Sequence, residues 1–337
     1  MSGIGGNALL TVSAANGANA RLLPVSDVSA AWAVSEVGTL SAFIPSRTAY
    51  RQGYDEWKGL RVLYQHSHAG PWAGTIVDDP VTLDDGTLEL SAQDVGRIGL
   101  HGRRTPYLFP IQMGAAGTLV RRAFSLAAQE TPQWITDIHC DEDGRLFEVE
   151  FRADDLLSFV RRMADDSGQE WETGVNDDGS LYFRWRKRIG RDRDILLVEG
   201  YQIAGGSVTR SIETVVNDLQ GIADDRDYAR AATNVVRSPS SIDRFGTIQG
   251  STRFPGVVNV STVEPQTRAA VAMSAEPVIA PTITIPDTHP IVAEIRNGDG
   301  FRLVVGSANA EYQMRAMRRH VAGGVMEITG DAAEVEA

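Results

Sequence analysis

The stretch "VTLDDGTLELSAQD", Val81 to Asp94, decides how the first third of the chain is read. Asp85-Gly86 suits the positive-φ positions of a type I′ turn, and apolar and polar residues alternate on both sides of it. The pattern predicts a β-hairpin with Val81, Leu83, Leu88 and Leu90 along one face. Toward the N-terminus, "ARLLPV", "SAAWAVSEVG", "TLSAFIPS", "LRVLYQHS" and "PWAGTIVDD" read as further short strands, with a turn at Glu36-Val37-Gly38. Short strands at this spacing predict a barrel or a sandwich.

After Leu100 the pattern changes. "GTLVRRAFSLAAQETP" has helical spacing, with Leu119, Ala123, Leu126 and Ala127 on one face and Pro132 beyond its end. "RADDLLSFVRRMADDSG" does the same with Leu156, Val160, Met163 and Ala164. Asp154 and Asp155 start that helix, and Arg161 and Arg162 lie toward its negative end. "EWETGVNDDGSLYFRWR" reads as a hairpin turning at Asp178-Gly179. "ILLVEGYQIAGGSVTRSIETVVNDLQGIA" returns to β-type alternation. "SPSSIDRFGTIQG" and "EPVIAPTITIPDTHP" flank a short helical candidate, "QTRAAVAMSA". "IVAEIRNGDGFRLVVG" and "GGVMEITGD" read as strands, with "NGDG" as a turn. "EYQMRAMRRHV" fits either helix or strand, and "DAAEVEA" is expected to be loose. The chain is therefore expected to be mainly β with α+β insertions.

Its 337 residues suggest two or three domains at roughly 100–200 residues each. With 42% hydrophobic and 23% charged residues, global disorder is excluded. No apolar run approaches the ~20 residues of a membrane helix. "MSGIGGNALLTVSAANGANARLL" has no basic start, so no signal peptide is expected. A single cysteine, Cys140, excludes an intramolecular disulfide framework and points to a reducing cytoplasm. The net charge of −12 repels phosphate. The one basic run, "FRWRKRIGRDR" at Phe183 to Arg193, reads as a solvated strand edge.

Three places invite a chemical reading. In "IHCDEDGRLFEVEF", His139, Cys140, Asp141, Glu142 and Asp143 look like a metal cluster. Adjacent strand residues point to opposite faces, however, so His139 and Cys140 are poorly placed to chelate one ion. The stretch reads instead as a hairpin, "TDIHC" and "RLFEVEF", turning at Asp143-Gly144 with an acidic tip. His66 and His68 share a strand face without a third ligand nearby. Glu170 and Glu172 flank Trp171, a pattern that would suit sugar hydrolysis. The alternative there is a buried Trp171 with both acids in solvent. GxSxG, HExxH and P-loop patterns are absent, and "GIGG" at Gly3 to Gly6 precedes no clear strand. No catalytic, cofactor or metal residues are assigned, and no cofactor is expected.

The order of segments resembles bacteriophage tail hub proteins, the baseplate or tail-tip ring below the tail tube. "WAVSEVGTLSAFIP" is similar to the family's first tube strands. "WAGTIVDDPVTLDDGTLELSAQDVGRIGLHGR" is similar to the segment closing its first barrel. "RADDLLSFVRRMADDSGQEWETGVNDDGSLYFRWRKRIG" resembles the helix and hairpin of its inserted domain. "TVVNDLQG", "SIDRFGTIQG" and "IRNGDGFRLVVG" resemble the places where the second barrel starts, is interrupted and resumes.

The resemblance implies two similar tube-type β-barrels side by side, with a decorating α+β domain. The first barrel would span 1–100, the inserted domain 101–194, and the second barrel 195–223 plus 288–332. Residues 224–287 would form an insertion packing with the outer domain, and 333–337 a loose tail. A homotrimer would then present a pseudo-sixfold ring to a hexameric tail tube. Its partners would be the distal tail or tube-end protein, the tape measure protein, and tip or fibre proteins. DNA would pass without specific binding, in a virion tail assembled in the host cytoplasm. The chain ends soon after the second barrel, so no fused lysozyme, peptidase or spike is expected. The implied role is structural and not enzymatic. Two other readings remain: a wall- or carbohydrate-degrading tip enzyme built on Glu170, Trp171 and Glu172, and a host receptor-binding module.

Overall fold

The computed structural model describes residues 9–14, 18–45, 57, 59–78, 80–83, 87–101, 103–105, 107–130, 135–152, 155–176, 178–223, 233–254, 260–305 and 310–335. The turn at Asp85-Gly86, Pro132, Asp154 and the "GIGG" stretch lie outside them. The fold is mostly antiparallel β. Contacts divide it into two compact units: Met1–Ser207 with Thr282–Gly330 and Glu334–Ala337, and Val208–Pro281 with Asp331–Ala333.

The first unit opens with β1 (Leu9–Ser13), β2 (Arg21–Leu23), β3 (Asp27–Ala33), β4 (Thr39–Pro45), β5 (Arg61–His66), β6 (Gly70–Ile76), β7 (Val81–Thr82) and β8 (Thr87–Asp94). They hydrogen-bond in the order β3-β4-β8-β6-β5-β1-β2, with β7 beside β8. Alternate residues point inward, so Leu10, Val12, Leu40, Ala42, Ile44, Val62, Tyr64 and Leu90 build one buried core.

The hairpin of β7 and β8 forms, but its phase differs from the sequence expectation. The Leu83 amide donates to the Thr87 carbonyl at 2.8 Å. The register pairs Val81 with Glu89 and Thr82 with Leu88. A one-residue change moves a whole strand's side chains to the other face. Val81 is accordingly exposed, while Leu88 and Leu90 are buried.

The α+β portion follows: α1 (Val95–Leu100), β9 (Tyr107–Ala115), α2 (Ala116–Glu130), β10 (Ile135–Cys140), β11 (Leu146–Arg152), α3 (Leu156–Ser167), β12 (Glu170–Val175) and β13 (Leu181–Arg186). Asp94 caps α1, accepting from the Gly96 amide at 2.8 Å. Asp155 caps α3, and Gly168 ends it in the left-handed conformation at φ 69°. The apolar stripe of α3 packs with α2, Trp171, Phe183 and Trp185 into a second core. Phe124 and Phe183 lie 4.7 Å apart between ring centroids. β12 and β13 form the expected antiparallel hairpin. β13 is the middle strand of the sheet β10-β13-β12 and not a solvated edge.

The chain continues through β14 (Asp192–Val198) and β15 (Gly205–Ser211) into the second unit. That unit holds β16 (Asp218–Ala223), β17 (Thr233–Arg237), α4 (Pro239–Phe245), β18 (Gln249–Phe254) and α5 (Val260–Ser274). Its sheet runs β17-β16-β18, with Leu219 packed against Val271 and Ala275. The helix reaches well beyond "QTRAAVAMSA" and carries Pro265 inside it. Gly221 allows it to sit close, because a Cβ there would strike Thr267.

The final strands are β19 (Val278–Pro286), β20 (Gly300–Val305), β21 (Ala310–Ala322) and β22 (Val325–Glu334). Strand β22 runs to Glu334, into the segment expected to be loose. "IVAEI" is not a strand: Pro290–Ala293 is a 3₁₀ turn. Pro290 begins it, the His289 Nδ1 accepts from the Ile291 amide, and Val292 and Ile295 are both buried. The ambiguous "EYQMRAMRRHV" is strand β21, which takes two partners along one edge. Residues 310–315 pair with β20, and 318–321 pair with β3. This strand joins the early and late strands into one 14-stranded sheet. Where the partner changes, buried positions switch from Tyr312, Met314 and Ala316 to Arg319 and Val321.

Candidate functional site: sheet edges and a charged cleft

The acidic cluster is not the tip of a hairpin. β10 pairs parallel with β13, and β11 pairs antiparallel with β9, so "DEDG" joins two different sheets. Cys140 is buried, while His139 and Asp141 are exposed and share a 2.9 Å hydrogen bond. The Thr118 hydroxyl donates to Glu142 at 2.6 Å, and Arg121 donates to the Cys140 carbonyl at 2.7 Å. The run is thus held against the start of α2. Gly117 permits this approach, since a Cβ would collide with the Asp141 carbonyl. Among the described residues, no group of three or more His, Cys, Asp or Glu side chains is placed to hold a metal ion.

His66 and His68 do not share a strand face, because β5 ends at His66. His66 is buried, and its Nδ1 accepts from the amides of His68 and Ala69. Its Nε2 therefore carries the proton and faces Asp287 Oδ2 at 3.2 Å. The pair fastens the turn after β5.

The Glu170–Trp171–Glu172 segment is partly as expected. Trp171 is fully buried and stacked on Phe183, so it offers no sugar platform. The acids do not face open solvent. Glu170 makes a bidentate ion pair with Arg315 of β21 and accepts from the Ile189 amide at 2.7 Å. Arg315 also donates to the Ile189 and Gly298 carbonyls. Gly190 and Gly298, at φ 79° and 77°, let the two loops cross there, and a Cβ on either would strike the other loop's backbone.

Glu172 opens onto a cleft of about 490 Å³ in the first unit. Its walls include Trp32, Trp72, Tyr182, Arg186, Arg191 and Arg296, and its floor carries Asn297, Asp299 and Arg319. Asp299 is 1% exposed and accepts from the amides of Arg191 and Arg296 and from Arg193 Nε. Arg319 is 4% exposed, lies over the Trp32 ring at 5.3 Å, and donates to Asn297 Oδ1 and the Ile295 carbonyl, each at 2.8 Å. Burial, with Arg296 alongside, lowers its pKa to about 10, so it remains charged at neutral pH. Burial raises the Glu172 carboxyl, an effect that Arg186, Arg184 and Arg319 offset only in part. The "FRWRKRIGRDR" run is thus divided, with Phe183 and Trp185 in the core and Arg186, Arg191 and Arg193 lining the cleft.

Among the described residues, β2, β7, β14 and β15 each hydrogen-bond one other strand of the 14-stranded sheet. Strands β2 and β14 show a large apolar side chain to solvent, Leu22 at 56% and Leu196 at 41%. A third exposed apolar group, Ile111, Met113 and Leu146, lies on the β9–β11 ribbon. Open edges with apolar side chains are templates for association. Sequence reading had singled out none of these positions, because exposure depends on which strands end up without a neighbour.

This architecture is one found among tail proteins of phages and prophages. The chain matches the tail protein of Neisseria meningitidis MC58 with a TM-score of 0.68 and 11% identity, over 96% of both chains. The 43 kDa tail protein of prophage MuSo2 from Shewanella oneidensis matches with a TM-score of 0.67 and 10% identity, over 96% of this chain and 98% of that one. Prophage tail protein gp18 from Listeria monocytogenes EGD-e gives 0.62 at 13% identity, over 96% and 94%. No protein-family model and no curated protein sequence matches.

Proposed function

We propose that this chain is a structural tail hub protein of a tailed phage or phage-like particle. The observation that carries the reading is the end-to-end likeness to tail proteins, which spans 96% of both chains in the Neisseria case. In this reading two tube-type barrels are built from 1–100 and from 195–223 with 288–332, and residues 101–194 decorate them. Three copies form a ring that adapts a hexameric tube to the tip or fibres. The exposed Leu22 of β2 and Leu196 of β14 support it, because a ring would cover them. The net charge of −12 supports it too: a conduit for DNA and tape measure is served by a chain that does not hold phosphate tightly. Its partners are tube-end, tape measure and tip or fibre proteins, and its place is the virion tail.

The role is assembly and not catalysis. With Glu170 bound to Arg315 and Trp171 buried, the segment that suggested a hydrolase is structural. Light scattering tests the proposal, with an expected mass three times the 36.5 kDa chain and a threefold ring in negative-stain images. A strict monomer that never joins tube or tip proteins sinks it. Clearing of host cell walls in a zymogram would restore the enzyme reading.

A further inference from the structure

The cleft over Arg319 carries more positive charge than its surroundings neutralise. Five guanidiniums line it, and only Arg193 has a carboxylate partner, Asp299. Among the described residues Arg186, Arg191 and Arg296 make no ion pair, although each is exposed at the mouth. Arg319 is buried and charged, yet no carboxylate lies in ion-pair contact with it among the described residues. Its Nε and Nη1 are used by Asn297 and the Ile295 and Ala69 carbonyls, and among the described residues no hydrogen-bond acceptor faces its Nη2. Of the cleft's three carboxylates, Asp94 is taken up by the amides of Gly38 and Gly96, and Asp299 by its own set. Glu172 is left, its carboxylate in no hydrogen bond among the described residues. Buried charges are paired as a rule, because an isolated ion in a low-dielectric site is costly. In a chain of net charge −12, a cleft lined by five guanidiniums, only one of them in an ion pair among the described residues, calls for an anion.

We propose that the cleft binds an oxyanion, a phosphate or a carboxylate, on Arg319 Nη2, with Arg186, Arg191 and Arg296 closing around it. Planar guanidiniums suit such groups because they donate two parallel hydrogen bonds. The inference does not rest on the tail role. The oxyanion can arrive as a free ion or as an acidic side chain of a neighbouring protein.

Calorimetric titration of the purified full chain at constant ionic strength tests it, with inorganic phosphate and a tetraglutamate peptide as probes. Saturable binding of either one is expected. The Arg186→Ala/Arg296→Ala double variant removes only exposed side chains, so it folds. It should bind at least about tenfold more weakly, or about 1.4 kcal/mol. Glu172→Gln should bind several-fold more tightly, because it removes the competing carboxylate. Tighter phosphate binding identifies a free ion, and tighter peptide binding identifies a partner's side chain. The proposal fails if wild type binds neither probe at tens of millimolar, or if the double variant binds like wild type.

Discussion

Cys140 and Glu172 show what burial does to a single titratable group. The Cys140 thiol is pushed up to about 11 by burial, which the nearby Arg121 only partly offsets. Thiolate is the reactive form, so native protein should react with a maleimide at pH 7.5 far more slowly than protein in guanidinium. Equal rates would contradict the buried placement. Glu172 is raised as well, and the sign of its effect follows. Between its unfolded and folded pKa values the folded chain binds more protons, so stability falls as pH rises through that window. Glu172→Gln should therefore melt above wild type at pH 7–8, and the gain should shrink toward pH 4. A variant less stable than wild type at pH 8 would show that the Arg186, Arg184 and Arg319 attractions outweigh burial. Neither burial was legible in the sequence. Trp171 was expected inside, but Glu172 was expected in solvent. It lies instead at a cleft assembled from β12, β13, β21 and the 296–299 loop.

Strands and loops were legible as local patterns, whereas their pairings were not. "TDIHC" and "RLFEVEF" both alternate and both are strands, yet each pairs with a different neighbour. Alternation reports one covered face and says nothing about which strand lies alongside. The hairpin at β7–β8 was located by its Asp-Gly signal, but a register that pairs Val81 with Glu89 reversed the face of Val81. The crossing of Gly190 and Gly298 was likewise hidden, because the two loops lie far apart in the chain. Gly298→Ala should cost about 2–4 kcal/mol, combining a positive-φ penalty with overpacking against Ile189. A denaturant midpoint unchanged by that substitution would argue against the crossing. Glu170→Ala should cost about 2–3 kcal/mol, since it leaves the part-buried Arg315 without its counter-ion. Restoring stability with Arg315→Met in the same chain would support that cause, and no loss in the single variant would refute it.

At the scale of the whole molecule, the exposed Leu22 and Leu196 make association the property to measure. Leu22→Asp with Leu196→Asp places charge on strands β2 and β14. The pair should reduce a trimer to monomers in light scattering without changing the circular dichroism spectrum. An unchanged trimer would move the interface elsewhere, to the β9–β11 ribbon or another face. By itself the sequence determined the β-rich class, the two helices after Leu100 with Asp155 at the start of the second, and the absence of a local catalytic motif. These rest on interactions within a few residues, where propensity, periodicity and capping act. Only the tertiary structure decided the 14-stranded sheet, the change of partner from β20 to β3 along β21 and the charged cleft. Pairing, edge exposure and a buried Arg319 arise when segments hundreds of residues apart meet, and no local pattern encodes which segments those are.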